Sequence, residues 1–217
     1  MDISELHQIL LNKYGDVGWW PGDSDEEILI GAILTQNTSW SNVEKAINML
    51  KMNGMLSLSA IAKSGPGRIA PLIRSSGYYN QKGMRLFSIS KEILEKYGSL
   101  SKMRLAGLEE AENFLMSLKG IGRETCDSIL NYALDFPVFV VDKYTLRIFS
   151  RTGLGDLNID EAKDLVYGSI GKDTETLKNL HGMIVFLGKD YCKTKPDCGN
   201  CPVNVKCVYF LKSNRDQ

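Results

Sequence analysis

LKGIGRETCDS, residues 118–128, breaks an apolar helical pattern with Gly120 and Gly122 and then resumes helix at once, with Arg123 and Glu124 in the first turn. The two glycines permit positive φ and close backbone approach. The helix that follows starts with N–H groups lacking intrahelical partners, which suits a phosphate. A contact of this kind holds a nucleic acid without reading its sequence. An ordinary αα-hairpin, with glycine merely ending a helix, satisfies the same turn. The order apolar–x–Gly–apolar–Gly between two amphipathic helices favours DNA.

Outward from this turn the periodicity is helical nearly everywhere. SDEEILIGAILTQ opens with a Ser24 cap and acidic first-turn residues, then spaces Ile28, Ile33 and Leu34 as a helix does. SNVEKAINMLKM repeats the scheme after Ser41 and stops at Gly54. Pro71 opens a short segment, Gly77 closes it, and YNQKGMRLFSISKEILEKYG runs to Gly98. LEEAENFLMSL leads into the hairpin, and RETCDSILNYAL leaves it. Beyond Pro137 come VDKYTLRIFSRTG, NIDEAKDLVYGSI and TETLKNLHGMIVFLGKDY. Only VFVV, 138–141, resembles a strand, and it reads better as a buried extended link. The expected class is all-α with about ten short helices.

The 217 residues allow one sizeable domain or two packed lobes. Lys and Arg total 26, as do Asp and Glu, so a DNA-binding face must come from segregated charge rather than net charge. MDISELHQIL lacks a basic segment followed by an apolar run, and no stretch approaches the roughly 20 apolar residues of a membrane span. A cytoplasmic, nucleoid-associated protein with no membrane partner is expected, as a monomer. Of five cysteines, four crowd into residues 192–207 as C-x5-C-x2-C-x5-C. Cys192, Cys198, Cys201 and Cys207 thus suggest a metal site more than a disulfide scaffold. Four thiolates suit zinc or a [4Fe-4S] cluster, but zinc sites more often show two CxxC knuckles and only one occurs here. Cys126 is expected to pack as a small apolar residue, and His181 to be a satisfied, partly buried histidine.

LKGIGRETCDSILNYAL, then VVDKY, then the four-cysteine loop resembles the helix–hairpin–helix DNA glycosylase superfamily, endonuclease III-like, over nearly the whole chain. The resemblance implies a two-lobed fold: a six-helix barrel over 18–136 with the hairpin near 113–134, and a second lobe from 1–17 plus 137–217. It implies double-stranded DNA with a damaged base as partner, lying between the lobes with that base flipped out at a cost of a few kcal/mol. Gly120, Gly122, Arg123 and Lys143 become DNA contacts, and Asn37, or its neighbour Gln36, becomes the residue that fills the vacated stack. Asp142 matches the superfamily's essential aspartate. The cysteine loop resembles the iron–sulfur loop of that branch but is one residue shorter in its first interval. It would present Lys193, Lys195 and Lys206 near the DNA backbone.

Glu124 occupies the position where the endonuclease III branch keeps the lysine of its lyase chemistry. A carboxylate forms no Schiff base, so the resemblance points to hydrolysis alone. GDVGWWPGD, ILTQNTSW and SGYYNQKGMRL resemble the 3-methyladenine DNA glycosylase III branch. That likeness makes Trp19, Trp20, Pro21 and Trp40 the base pocket, with Glu124 beside it. A ring-methylated adenine is cationic, leaves readily and is attracted to indole faces by about 0.5–2 kcal/mol. The expected function is a monofunctional glycosylase for alkylated purines in base excision repair. Alternatives are a glycosylase for mismatched, deaminated or oxidised bases, and a non-catalytic iron–sulfur protein that binds distorted DNA.

Overall fold

The computed structural model describes residues 1–213 and is all-helical, with thirteen α-helices among those residues. The chain divides into two compact units, residues 21–136 and residues 1–20 with 137–213. The first boundary falls after Trp20 rather than at residue 18, because Trp19 packs on residues near the C-terminal end of the chain (below).

The 21–136 unit holds α2 (Asp25–Leu34), α3 (Trp40–Met52), α4 (Leu58–Ser64), α5 (Pro66–Leu72), α6 (Tyr79–Lys96), α7 (Leu100–Leu105), α8 (Leu108–Ser117) and α9 (Arg123–Ser128), following α1 (Ile3–Tyr14) of the other unit. Leu29 to Leu34 are all buried, so α2 is surrounded rather than amphipathic. It packs on α3, α6 and α9. Ser24 caps α2 by accepting from the Glu27 N–H at 3.2 Å. Two boundaries differ from the sequence expectation. α3 starts at Trp40 behind Ser39, and α5 starts at Pro66, with Pro71 inside its last turn. A proline at the first helical position costs no hydrogen bond, and Gly65 provides the preceding break at φ 75°. α9 passes into a π-helical stretch, Ile129–Ala133, in which the Leu134 N–H reaches back to the Ile129 carbonyl at 2.9 Å.

The other unit combines α1 with α10 (Lys143–Thr152), α11 (Ile159–Ile170), α12 (Thr174–Asp190) and α13 (Val208–Ser213). Its core joins Leu6 and Leu10 of α1, Phe149 of α10, Val166 of α11 and Leu180, Met183, Ile184 and Leu187 of α12. Residues 138–141 run into this core as a buried link without strand pairing, as the sequence implies. They deliver the chain to Asp142, the N-terminal cap of α10.

Candidate active site

Asp142 ends the buried link and caps α10. Its Oδ1 accepts from the Tyr144 N–H at 2.9 Å, the Thr145 N–H at 2.8 Å and the Thr145 hydroxyl at 3.1 Å. Oδ2 lies 3.7 Å from His181 Nε2 on α12, and the carboxylate side chain is 11% exposed. Burial pushes the Asp142 carboxyl up, but His181 and the Thr145 donors outweigh it and hold the group below its ordinary value. Asp142 is therefore an ionised carboxylate with one oxygen saturated and the other facing a buried imidazole. His181 is 4% exposed and meets Phe139 edge-on at 6.4 Å. The sequence predicts a satisfied, partly buried histidine, whereas the structure buries it fully. Its approach to Asp142 was not legible, because 39 positions separate the two and only the helix packing joins them.

Trp19 and Trp20 belong to the same unit as Asp142. Trp19 lies edge-on to Phe186 at 5.7 Å, beneath Lys189 at 5.1 Å and against α12 at Gly182. A Cβ on Gly182 would stand 2.5 Å from the Trp19 Cβ, so glycine is what lets this segment close onto the helix. Trp20 is half-buried, 5.9 Å from Trp19 between ring centres, and Pro21 is exposed.

In the 21–136 unit the hairpin has the expected order, with one correction. Gly120 has φ 96°, but Gly122 has φ −101° and ψ 175°, extended backbone open to any residue. Above Gly120 lies the Arg85 side chain, whose Nε would be 2.6 Å from an added Cβ. Arg85 donates to Gln36 Oε1 at 2.7 Å, and Gln36 Nε2 donates to the Gly120 carbonyl and to Thr125 Oγ1, both at 3.0 Å. Gln36 is thus committed within the protein, whereas Asn37 is exposed and left-handed at φ 56°. Of the two candidates for entering a DNA stack, Asn37 is the one that points away from the fold's own bonds. Arg123 is tied to Glu112 of α8 at 3.0 Å and to buried Asp127 at 3.5 Å, so its charge braces the hairpin. Trp40 donates its indole N–H to Glu44 at 2.9 Å. Glu124 and Lys143 are exposed on their respective helices.

Cys192, Cys198, Cys201 and Cys207 line one small pocket together with apolar Ile148, Leu187, Val203 and Phe210, and none forms a disulfide. Burial pushes the Cys201 thiol up to about 11. Among the described residues no group of three or more His, Cys, Asp or Glu side chains is placed to hold a metal ion. A tetrahedral zinc with ~2.3 Å bonds needs its sulfurs about 3.8 Å apart. A multi-iron cluster assigns one thiolate to each iron, and therefore wants the cysteines around a shared pocket. Lys193 and Lys195 are exposed, while Lys206 is paired with Glu5 of α1 at 2.5 Å.

A helix–hairpin–helix unit, followed by a carboxylate that caps the next helix, is what the resemblance to DNA glycosylases of base excision repair implies. Residues 30–165 match the HhH-GPD superfamily of base excision DNA repair proteins, and the chain belongs to that family. It is 43% identical over 212 residues to a Methanocaldococcus jannaschii protein provisionally named DNA repair glycosylase MJ1434, covering 95% of this chain and 96% of that one. The Thermotoga maritima endonuclease III is 29% identical, over 88% of this chain and 85% of its own. Among solved structures, the H. pylori 3-methyladenine DNA glycosylase bound to 1,N6-ethenoadenine superposes with a TM-score of 0.79 at 30% identity, covering 87% of this chain and 98% of that chain. A non-covalent endonuclease III–DNA complex shares the fold, with a TM-score of 0.82 over 98% of this chain and 97% of its own, at 22% identity.

Proposed function

We propose that this DNA glycosylase hydrolyses the N-glycosidic bond of alkylated purines of the 3-methyladenine type and leaves the abasic strand uncut. The observation that carries the reading is Asp142: an ionised carboxylate with Oδ1 saturated by three donors, in a chain that has Glu124 in place of a lyase lysine. In the reaction, the C1′–N bond breaks and its electron pair stays with the cationic base, which departs neutral. Positive charge builds on the sugar, and a fixed carboxylate stabilises it without reorganising. Water then bonds to C1′, and its proton passes to Asp142 or to solvent. A cationic leaving group needs little help from a general acid.

Trp20 and Trp40 are the indoles proposed to stack on the flipped base, with Pro21 and Glu124 at the pocket; Trp19, already covered by Phe186 and Lys189, is proposed to anchor Trp20. Support for the alkylpurine class comes from the 30% identity with the H. pylori 3-methyladenine DNA glycosylase. Gly120, Gly122, Arg123 and Lys143 are the proposed backbone contacts on double-stranded DNA, and Asn37 the proposed gap-filling residue. The four cysteines are proposed to hold a [4Fe-4S] cluster, which would supply cross-linking of the C-terminal loop rather than chemistry. The protein is proposed to act as a monomer on DNA in the cytoplasm. Among the described residues no helix is long and apolar enough to cross a membrane.

The test is a panel of duplexes carrying 3-methyladenine, 1,N6-ethenoadenine, uracil, mispaired thymine and oxidised bases, with released bases identified and borohydride trapping run in parallel. Release of alkylated purines without trapped adduct is expected. Release confined to uracil, thymine or oxidised bases would move the chain to the rival substrate class, and strong trapping would turn attention to Lys143.

A further inference from the structure

Lys82 is among the largest fully buried side chains, at 1% exposure, and the chemistry above does not use it. A buried ammonium is costly unless its protons are taken up, and an apolar residue of similar volume is often as stable or more so. Here Nζ donates to the Leu34 carbonyl at 2.8 Å and to the Ser76 carbonyl at 2.7 Å. Burial, helped by nearby Arg85, pushes its pKa down to about 8. Leu34 is the last residue of α2, where carbonyls lack helical partners and a cation is favoured. Ser76 ends the short turn before α6.

What those two carbonyls precede is the telling feature. Three residues after Leu34 comes Asn37, and two after Ser76 comes Tyr78, and both have left-handed backbone at φ 56° and φ 47°. Left-handed conformation is tolerable for asparagine but uncommon for a bulky residue, and costs about 1–2 kcal/mol. Both are exposed, Tyr78 to 67%, so neither is held there by burying its side chain. The Lys82 N–H also donates to the Tyr78 carbonyl at 2.9 Å. One lysine thus grips the root of each tip.

We propose that Lys82 is a positioning residue that fixes Asn37 and Tyr78 at one spacing, so that the two tips enter the DNA stack together. The inference rests on the glycosylase reading only in taking duplex DNA as the ligand. An exposed aromatic ring suits stacking against a base, and an exposed amide suits a vacated base position. Neither can do so on a turn free to relax from its strained backbone.

The test uses the full-length protein on a duplex with a tetrahydrofuran abasic analogue opposite 2-aminopurine, whose fluorescence reports unstacking without any bond cleavage. Lys82→Met is expected to raise the duplex Kd roughly 10-fold and to cut the fluorescence change by about half or more. Affinity for the same oligonucleotide as a single strand, which has no stack to enter, should stay within about 2-fold. Lys82→Arg, which keeps the charge and donors, should recover part of the loss. Tyr78→Ala added to Lys82→Met should cost less than the two separately, because both remove the same insertion. Equal losses on duplex and single strand, no loss on either, or no fluorescence change with the wild type would each overturn the proposal. Should Lys82→Met fail to fold, Lys82→Gln takes its place, and failure of both would reassign Lys82 to folding alone. A chain that releases no alkylated purine would still give this signal, so the two readings fail separately.

Discussion

Asp142 has an observed role as a cap and a proposed one as a charge, and one substitution separates them. As a cap it accepts the Tyr144 and Thr145 N–H groups, and asparagine caps almost as well. As a charge it would face the developing sugar cation, which asparagine cannot do. Asp142→Asn is therefore expected to lower base release by roughly 10²–10⁴ with duplex binding largely kept. Near-normal turnover in the folded variant would remove Asp142 from the mechanism. The same carboxylate sets a pH dependence of stability. Its folded pKa lies below the unfolded value, so its contribution is full above about pH 4 and fades as pH falls through the folded pKa. Wild type should accordingly lose its stability advantage over Asp142→Asn in urea melts taken from pH 7 down to pH 3. A gap that stays constant across that range would mean the carboxylate gains nothing from His181 and Thr145.

At the scale of elements, the two hairpin glycines look alike in sequence and differ in structure. Gly120→Ala must hold φ 96° with a side chain and push Arg85 off the turn, which also releases Gln36 from Arg85. A loss of about 1–3 kcal/mol is expected, with weaker duplex binding. Gly122→Ala keeps an extended backbone with nothing within 4 Å of the new Cβ, and should be nearly neutral in thermal melts. Equal costs for both would mean that Arg85 simply swings aside and the backbone absorbs the strain. The contrast also marks what sequence can carry. Helices, capping residues and the hairpin were legible because local periodicity and turn chemistry encode them. The buried encirclement of α2, the π-helical exit of α9 and the Lys82 grip were not. Each depends on partners brought from distant segments, and a lysine in YNQKGMRL carries no local sign of burial. Arg123 shows the same limit from the other side. Its place at a helix start was legible, but its pairing with Glu112 on the preceding helix was not.

For the molecule as a whole, the cysteine loop is where the proposed cluster and the proposed chemistry meet. Residues 191–203 contain no helix, and turn hydrogen bonds and side chains hold them. Arg147 of α10 donates to the Cys192 carbonyl at 2.8 Å, and Arg151 donates to the Lys193 carbonyl at 2.6 Å and to Cys192 Sγ at 3.4 Å. α10 is the helix that Asp142 caps, so the loop is tied to the same rod as the candidate catalytic group. Protein purified anaerobically should be brown and contain about four irons per chain. A colourless preparation with one zinc per chain would sink the cluster. Oxidative removal of the iron should lower Tm by several degrees, at about 2–4 °C for each kcal/mol lost in a chain of this size. Cys198→Ser should do the same, since a weaker ligand leaves one iron poorly held. Base release should fall in step with iron content, because loosening the loop frees both arginines and with them the far end of α10. The hairpin turn, braced instead by Gln36 and Arg85, should keep its hydrogen-exchange protection throughout. Loss of protection in both places at once would mean that the cluster supports the whole fold rather than one helix and its cap.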